Sequence, residues 1–332
     1  MKKFAMLLSL FGVVLAFPDH ALAQPVFSFK TWVSNIGLDS NSCSLASPCA
    51  TFAGALKKTA PGGEIGVLNS GEYGQVIIDR SISIVAQGVD ASISTPLGSG
   101  VLIFAGDTDV VHLRGLTIYG DANTGNIGVE FARGGALHVE KCVIKNFQAA
   151  LGQNGQGIFF DPAVPAELYV SDTIIANNYN STGGSGGGIF VVPGSSISVR
   201  IMLNHVEVSN NYVGIKVDGT QGSANSIVNI SIRDSAISGN TSNGIVSTTS
   251  SGGATILMTL DRTTSANNGD SPPTVGVVSD GPLSFITMTN STVTGNYTGI
   301  KFSNGGTLRS LGNNTVIGNS VDGSPSMVTV LK

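Results

Sequence analysis

Asn178, Asn211, Asn240, Asn268, Asn296 and Asn319 stand in one recurring frame, at intervals that run from 33 down to 23 residues. Three positions before each lies an apolar or small residue: Ile175, Val208, Ile237, Ser265, Val293, Val316. Five positions earlier lies another apolar one: Val170, Leu203, Ile232, Leu260, Met288, Leu311. A Gly-Ile or Gly-Val pair follows most of the asparagines, at Gly188-Ile189, Gly214-Ile215, Gly244-Ile245, Gly276-Val277 and Gly299-Ile300. A repeat of this length is one coil of a solenoid. Each coil reads as a strand, a polar corner, a second strand, the asparagine corner and a third strand opened by the Gly-Ile pair. Stacked coils of this kind make a parallel β-helix. Roughly ten coils at the strand spacing of about 4.8 Å predict a rod on the order of 50 Å long. The asparagine column reads as structural. Asparagine tolerates left-handed backbone at a tight corner, and stacked amides can bond to one another along the rod. The two earlier rows, from Leu113 and Val139, carry Asp121 and Phe147 in the asparagine slot.

Composition agrees with an all-β chain. Charged residues make up only 11% of the 332 residues and glycines number 44. That is too apolar for disorder, and it suits many short strands joined by turns. A net charge of -4 provides no basic field for nucleic acid.

The N-terminus predicts export. Lys2 and Lys3 precede an apolar stretch over residues 4–17, and Ala21-Leu22-Ala23 is a small-residue cleavage site. Residues 1–23 are therefore expected to be a secretory signal peptide, and the protein to be secreted or periplasmic. The apolar run is too short for a stable membrane span. Residues 24–62 read as an N-terminal cap. It holds one short amphipathic helix over residues 50–58, closed by Pro61-Gly62-Gly63. Such a cap covers apolar core and unpaired backbone at the open end of a solenoid. Within it, Cys43 and Cys49 are expected to form a disulfide, as an exported chain permits. A metal reading lacks a nearby histidine or a third thiol, and no metal or cofactor is expected. Cys142 falls in a strand and reads as core. Residues 63–332 form the β-helix. The tail, residues 327–331, reads as a last strand with no polar cap, which leaves that end open to an oligomeric contact.

The frame also predicts which side chains share an outer face, because residues flanking an inward one in a strand point outward. One outward column reads His112, His138, Tyr169, Met202, Ser231, Thr259, Thr287. Beside it runs Arg114, Glu140, Ser171, Asn204, Arg233, Asp261, Thr289. His112, Arg114, His138, Glu140 and Tyr169 thus gather into a candidate catalytic patch, with an acid or base suited to neutral pH and a cation for an acidic sugar. The competing reading is an ordinary solvated sheet face, with Arg114 and Glu140 a plain surface pair. His205 shares the polar-corner slot of Asp172, Asp234 and Asn290 and reads as a turn residue. After the Gly-Ile pairs runs the column Glu130, Phe159, Phe190, Lys216, Val246, Val278, Lys301. There Phe159 and Phe190 are candidate ligand contacts, able to stack on sugar rings or meet a partner protein.

The alternation of core positions, corner asparagine and following Gly-Ile resembles the right-handed parallel β-helix repeat of the pectin lyase-like superfamily. The run from Trp32-Val33-Ser34-Asn35-Ile36-Gly37 through Pro48-Cys49-Ala50-Thr51-Phe52 is similar to the start of secreted bacterial proteins of that group. The resemblance implies an all-β, right-handed solenoid, with sites often on the outer face of one long sheet. It does not imply one activity, because the fold carries lyases, hydrolases, epimerases and adhesins. The polygalacturonase-like Asp-Asp, Gly-His-Gly and Arg-Ile-Lys set is missing. So is the epimerase-like Asp-Pro-His-Asp, since Ala163 follows Asp161-Pro162. No row carries the clustered carboxylates of a pectate lyase-like calcium site. The expectation is an exported, non-catalytic protein that binds polysaccharide or a surface partner through a sheet face. The alternative is a polysaccharide lyase or hydrolase working through the histidine patch. An assembly subunit joined through its open end is the third reading.

Overall fold

The computed structural model describes residues 27–121, 125–149, 155–180 and 186–329. The expected signal peptide lies outside the described residues. Two parallel sheets form the walls of a solenoid. A 20-stranded sheet carries two strands of each coil, and a 9-stranded sheet carries the third. The smaller sheet counts nine full coils, with partial rungs beyond it at both ends.

The core follows from strand alternation. Leu113, Val139, Val170, Leu203, Ile232, Leu260 and Met288 stack one above another and are buried. The last row departs from the sequence frame. Met288 pairs with Ser310, and Leu308, facing Ile286, fills the core in place of Leu311. One extra residue at that corner, where Gly312 turns with φ of 83°, shifts the count back from Asn319.

Two corners recur in each coil, and both need left-handed backbone. At the polar corner a single residue bends the chain: Lys141, Asp172, His205, Asp234, Arg262 and Asn290 have φ between 48° and 52°. At the asparagine corner the left-handed residue is not the ladder asparagine, contrary to the sequence expectation. It is the residue before it: Asn146, Asn177, Asn210, Gly239, Asn267, Gly295 and Gly318. The asparagines of the frame do form the ladder, and the position before them also favours asparagine or glycine, one site for its amide and the other for its backbone.

That division frees the ladder amides to point inward. Asn178 Nδ2 donates to Asn211 Oδ1 at 2.9 Å, Asn211 to Asn240 at 3.1 Å, Asn240 to Asn268 at 2.7 Å, Asn268 to Asn296 at 3.0 Å and Asn296 to Asn319 at 2.9 Å. Each Oδ1 also accepts the backbone N–H of the preceding asparagine, as Asn240 does from Asn211 at 3.0 Å. The other Nδ2 proton goes to a strand carbonyl, such as Val208 O for Asn240. A buried amide is tolerated because its groups are paired in this way. The glycine of each Gly-Ile pair makes room for the ladder. A Cβ on Gly276 would meet Asn296 Nδ2 at 2.7 Å, and one on Gly299 would meet Asn319 Nδ2 at 2.6 Å.

The N-terminal end is closed by the cap. Helix α1 (Phe52–Leu56) is shorter than the sequence suggested, because the chain enters the strand Thr59–Val67 soon after its C-cap, Lys57. That strand runs through residue 62 and carries Pro61, so cap and solenoid are continuous. Thr51 caps the helix, its hydroxyl accepting the Gly54 N–H at 2.9 Å. Asp39 braces this turn, accepting the N–H groups of Ala50 and Thr51, each at 2.9 Å. Cys43 and Cys49 form a disulfide with Cα atoms 4.6 Å apart, both fully buried. Cys142 is a buried core thiol that burial pushes up to about 11. At the far end, Met327–Val328 pairs with Arg309 and Ser310, and Ile317 and Val328 are exposed. No helix among the described residues is long and apolar enough to cross a membrane.

Candidate functional site

The strands Val110–Arg114, Ala136–Glu140 and Ala166–Ala176 lie side by side in the larger sheet, in the register the repeat predicts. His112 pairs with His138, His138 with Tyr169, and Arg114 with Glu140. Parallel strands hold like positions at the strand spacing, so flat side chains in one column are forced into a stack. The His112 and His138 rings lie 4.4 Å apart, and those of His138 and Tyr169 lie 4.6 Å apart, with planes tilted by 20° and 12°. The ring faces therefore cover one another, and the ring edges reach solvent.

These edges open on a groove of about 420 Å3, lined also by Arg114, Glu140 and Ser171 and, on earlier coils, by Glu64 and Ser83. Arg114 Nη1 sits 3.6 Å from Glu140 Oε2, and Lys141 Nζ lies 3.9 Å from Glu140 Oε1. Tyr169 donates its hydroxyl to Glu167 Oε2 at 2.5 Å, and Arg200 pairs with Glu167 from the next coil. Glu64 is paired with Lys30 at 2.8 Å. A second depression continues along the same face from Tyr169 past Met202 and Asn229 to Leu257.

The histidines favour the neutral form. Partial burial pushes His112 below the ordinary imidazole range, with Glu140 opposing the shift. Burial and then the neighbouring His112 push His138 down as well, against the pull of Glu167. Two adjacent imidazolium ions would repel, so the stack holds neutral rings that can each donate at one nitrogen and accept at the other. The phenol of Tyr169 is raised, chiefly by its bond to the Glu167 carboxylate, and stays protonated.

The structure thus brings all five patch residues, His112, Arg114, His138, Glu140 and Tyr169, onto one groove. Sequence reasoning left out Glu64, Ser83, Glu167 and Arg200. Glu64 and Ser83 lie in the short early rows that the asparagine frame does not reach, with Ser83 beside both Glu64 and His112. Glu167 and Arg200 lie within the frame, two residues before the His112–His138–Tyr169 column, in an outward column that was not read. Phe159 and Phe190 face each other across neighbouring strands of the smaller sheet, away from this groove, and both are half-buried. Lys216 Nζ lies 5.9 Å from the centre of the Phe190 ring. Among the described residues no group of three or more His, Cys, Asp or Glu side chains could hold a metal ion.

No protein-family model matches the chain, and no curated protein matches its sequence. Among solved structures it is similar to a pectate lyase, Pel9A, with a TM-score of 0.53 and 13% sequence identity. The likeness covers 85% of this chain and 67% of the lyase. It shows the fold: a right-handed parallel β-helix of the pectin lyase-like kind. At that identity the likeness is one of backbone, and the chemistry rests on the side chains of this groove.

Proposed function

We propose that this chain is an exported polysaccharide-binding protein whose ligand lies along the larger sheet, over the His112–His138–Tyr169 stack. One observation carries the reading: three rings stacked across adjacent strands line one groove on a long parallel face. Ring edges recognise hydroxyl groups by hydrogen bonds, and Arg114 adds a cation for a carboxylate on the chain. The fold shared with a pectate lyase and the Cys43–Cys49 disulfide support a role outside the cytoplasm on a glycan. The test is retention of the purified protein on a panel of immobilised neutral and uronic-acid polymers. Retention on one polymer, weakened about tenfold in His138→Ala, is the expected result. Equal behaviour of His138→Ala and the parent on every polymer would sink this assignment.

A second reading has one observation in its favour. The imidazoles are held neutral, so one can accept a proton near neutral pH. A lyase or hydrolase acting on an acidic glycan would then work through His138 or His112, with Arg114 binding the uronate. Unsaturated products or new reducing ends that vanish in both His138→Ala and Arg114→Ala would replace the binding-only reading.

A further inference from the structure

A separate groove lies beside the cap, against the smaller sheet and not the larger one that carries the histidine stack. It is a cavity of about 740 Å3 between the cap helix and the first strands of the smaller sheet. Its walls are aliphatic: Leu56 comes from the helix, Ile77 from one strand, and Leu97 and Leu102 from the next turn and strand. Ile77 is 66% exposed and Leu97 69%, among the highest values for large apolar side chains here. No aromatic side chain lines the groove, so it offers a sugar ring no stacking surface. The volume falls in the range of about 300–1,000 Å3 common for small-molecule sites and is too small to seat a folded partner.

The charge at the rim selects the ligand. Asp79 is held by Arg80, with bonds of 2.7 and 3.1 Å, so neither is free to compensate a ligand charge. Lys57, exposed at the end of α1, makes no ion pair among the described residues and lines the same groove. An aliphatic slot with one uncompensated cation at its mouth complements an apolar chain that ends in one negative group. We propose that this groove binds a free acyl carboxylate, its chain against Ile77, Leu97 and Leu102 and its carboxylate on Lys57. The inference stands independently of the glycan reading.

The test is calorimetric titration of the full chain with dodecanoate below its micelle concentration, with dodecanol as the uncharged control. Saturable one-site binding of dodecanoate, at least about tenfold tighter than dodecanol, is expected. Leu97→Asp, a change at an exposed side chain, should abolish it, and Ile77→Asp should do the same as an independent check. Lys57→Gln should weaken dodecanoate about tenfold and leave dodecanol unchanged. Absence of saturable binding overturns the proposal. So does binding that survives both aspartate variants, or a Lys57→Gln variant that still prefers the carboxylate.

Discussion

The coils that precede Asn178 and those that follow it pack the same corner by different means. In the earlier coil the slot holds Phe147, fully buried, and Phe131 and Phe160 stack 4.8 Å apart within the core. From Asn178 onward the slot holds an amide bonded to the amide of the next coil. Apolar packing demands volume, and many shapes come close to satisfying it. An amide ladder demands a partner on both sides, and a gap leaves buried groups unpaired. The later coils are accordingly regular in sequence. The earlier ones vary, and the candidate glycan groove lies mainly over that variable part.

The sharpest way to break this contrast is to remove one rung. Asn240→Leu strands the Asn211 N–H, removes one of the acceptors of Asn211 Nδ2, and leaves Asn268 Oδ1 and Val208 O each short of a donor. At about 1–3 kcal/mol for each buried group left unpaired, a loss of about 4 kcal/mol is expected in denaturant unfolding. Phe147→Leu, which removes apolar volume at the equivalent slot, should cost only about 1–2 kcal/mol. If the two variants unfold at the same denaturant concentration, the ladder has no special standing.

A smaller effect should separate the cap from both sets of coils. Replacing Cys43 and Cys49 with serine removes a short cross-link, worth about 2 kcal/mol. The loss should appear as faster amide exchange around residues 31–58, with the ladder coils still protected. Loss of protection along the whole rod would mean that cap and solenoid unfold as one unit.

The smallest expected effect belongs to the histidine stack. Both imidazoles titrate below the ordinary value of 6.5 in the folded chain. Above 6.5 their contribution to stability is complete. As pH falls below 6.5 the unfolded chain takes up protons first, so stability declines toward the lower folded values. The His112→Gln/His138→Gln variant should flatten that part of the stability profile. An unchanged slope would show that other groups set it.

Much of this organisation was legible in the repeat. Once the asparagine frame was aligned, the pairing of His112 with His138 and Tyr169 followed from the two-residue period of a strand. The ring stack itself did not, because a sequence does not state that parallel neighbours sit closely enough to force flat rings together. Asp39 shows a different gap. In sequence it belongs to a turn-forming run, Gly37-Leu38-Asp39-Ser40-Asn41, yet its carboxylate braces the start of α1 across eleven residues. Leu311 shows a third, where one added corner residue shifted the count. The apolar groove beside the cap was not foreseen either, since Ile77 and Leu97 come from coils too irregular to align.

The asparagine ladder also has a direction. Each ladder amide gives one Nδ2–H to the Oδ1 of the next coil, from Asn178 to Asn319, so the amide-to-amide bonds all run in the same sense. The chain begins where Asn178 Oδ1 accepts the backbone N–H of Phe147 at 3.1 Å. It ends where Asn319 gives both its backbone N–H and its Nδ2–H to Asp322 Oδ1, at 3.0 and 2.9 Å. A carboxylate accepts but cannot pass the bond onward, so Asp322 is a terminus in the electrical sense. A negative charge rests at the donor end of this file of amides, much as an acidic residue does at the first turn of an α-helix.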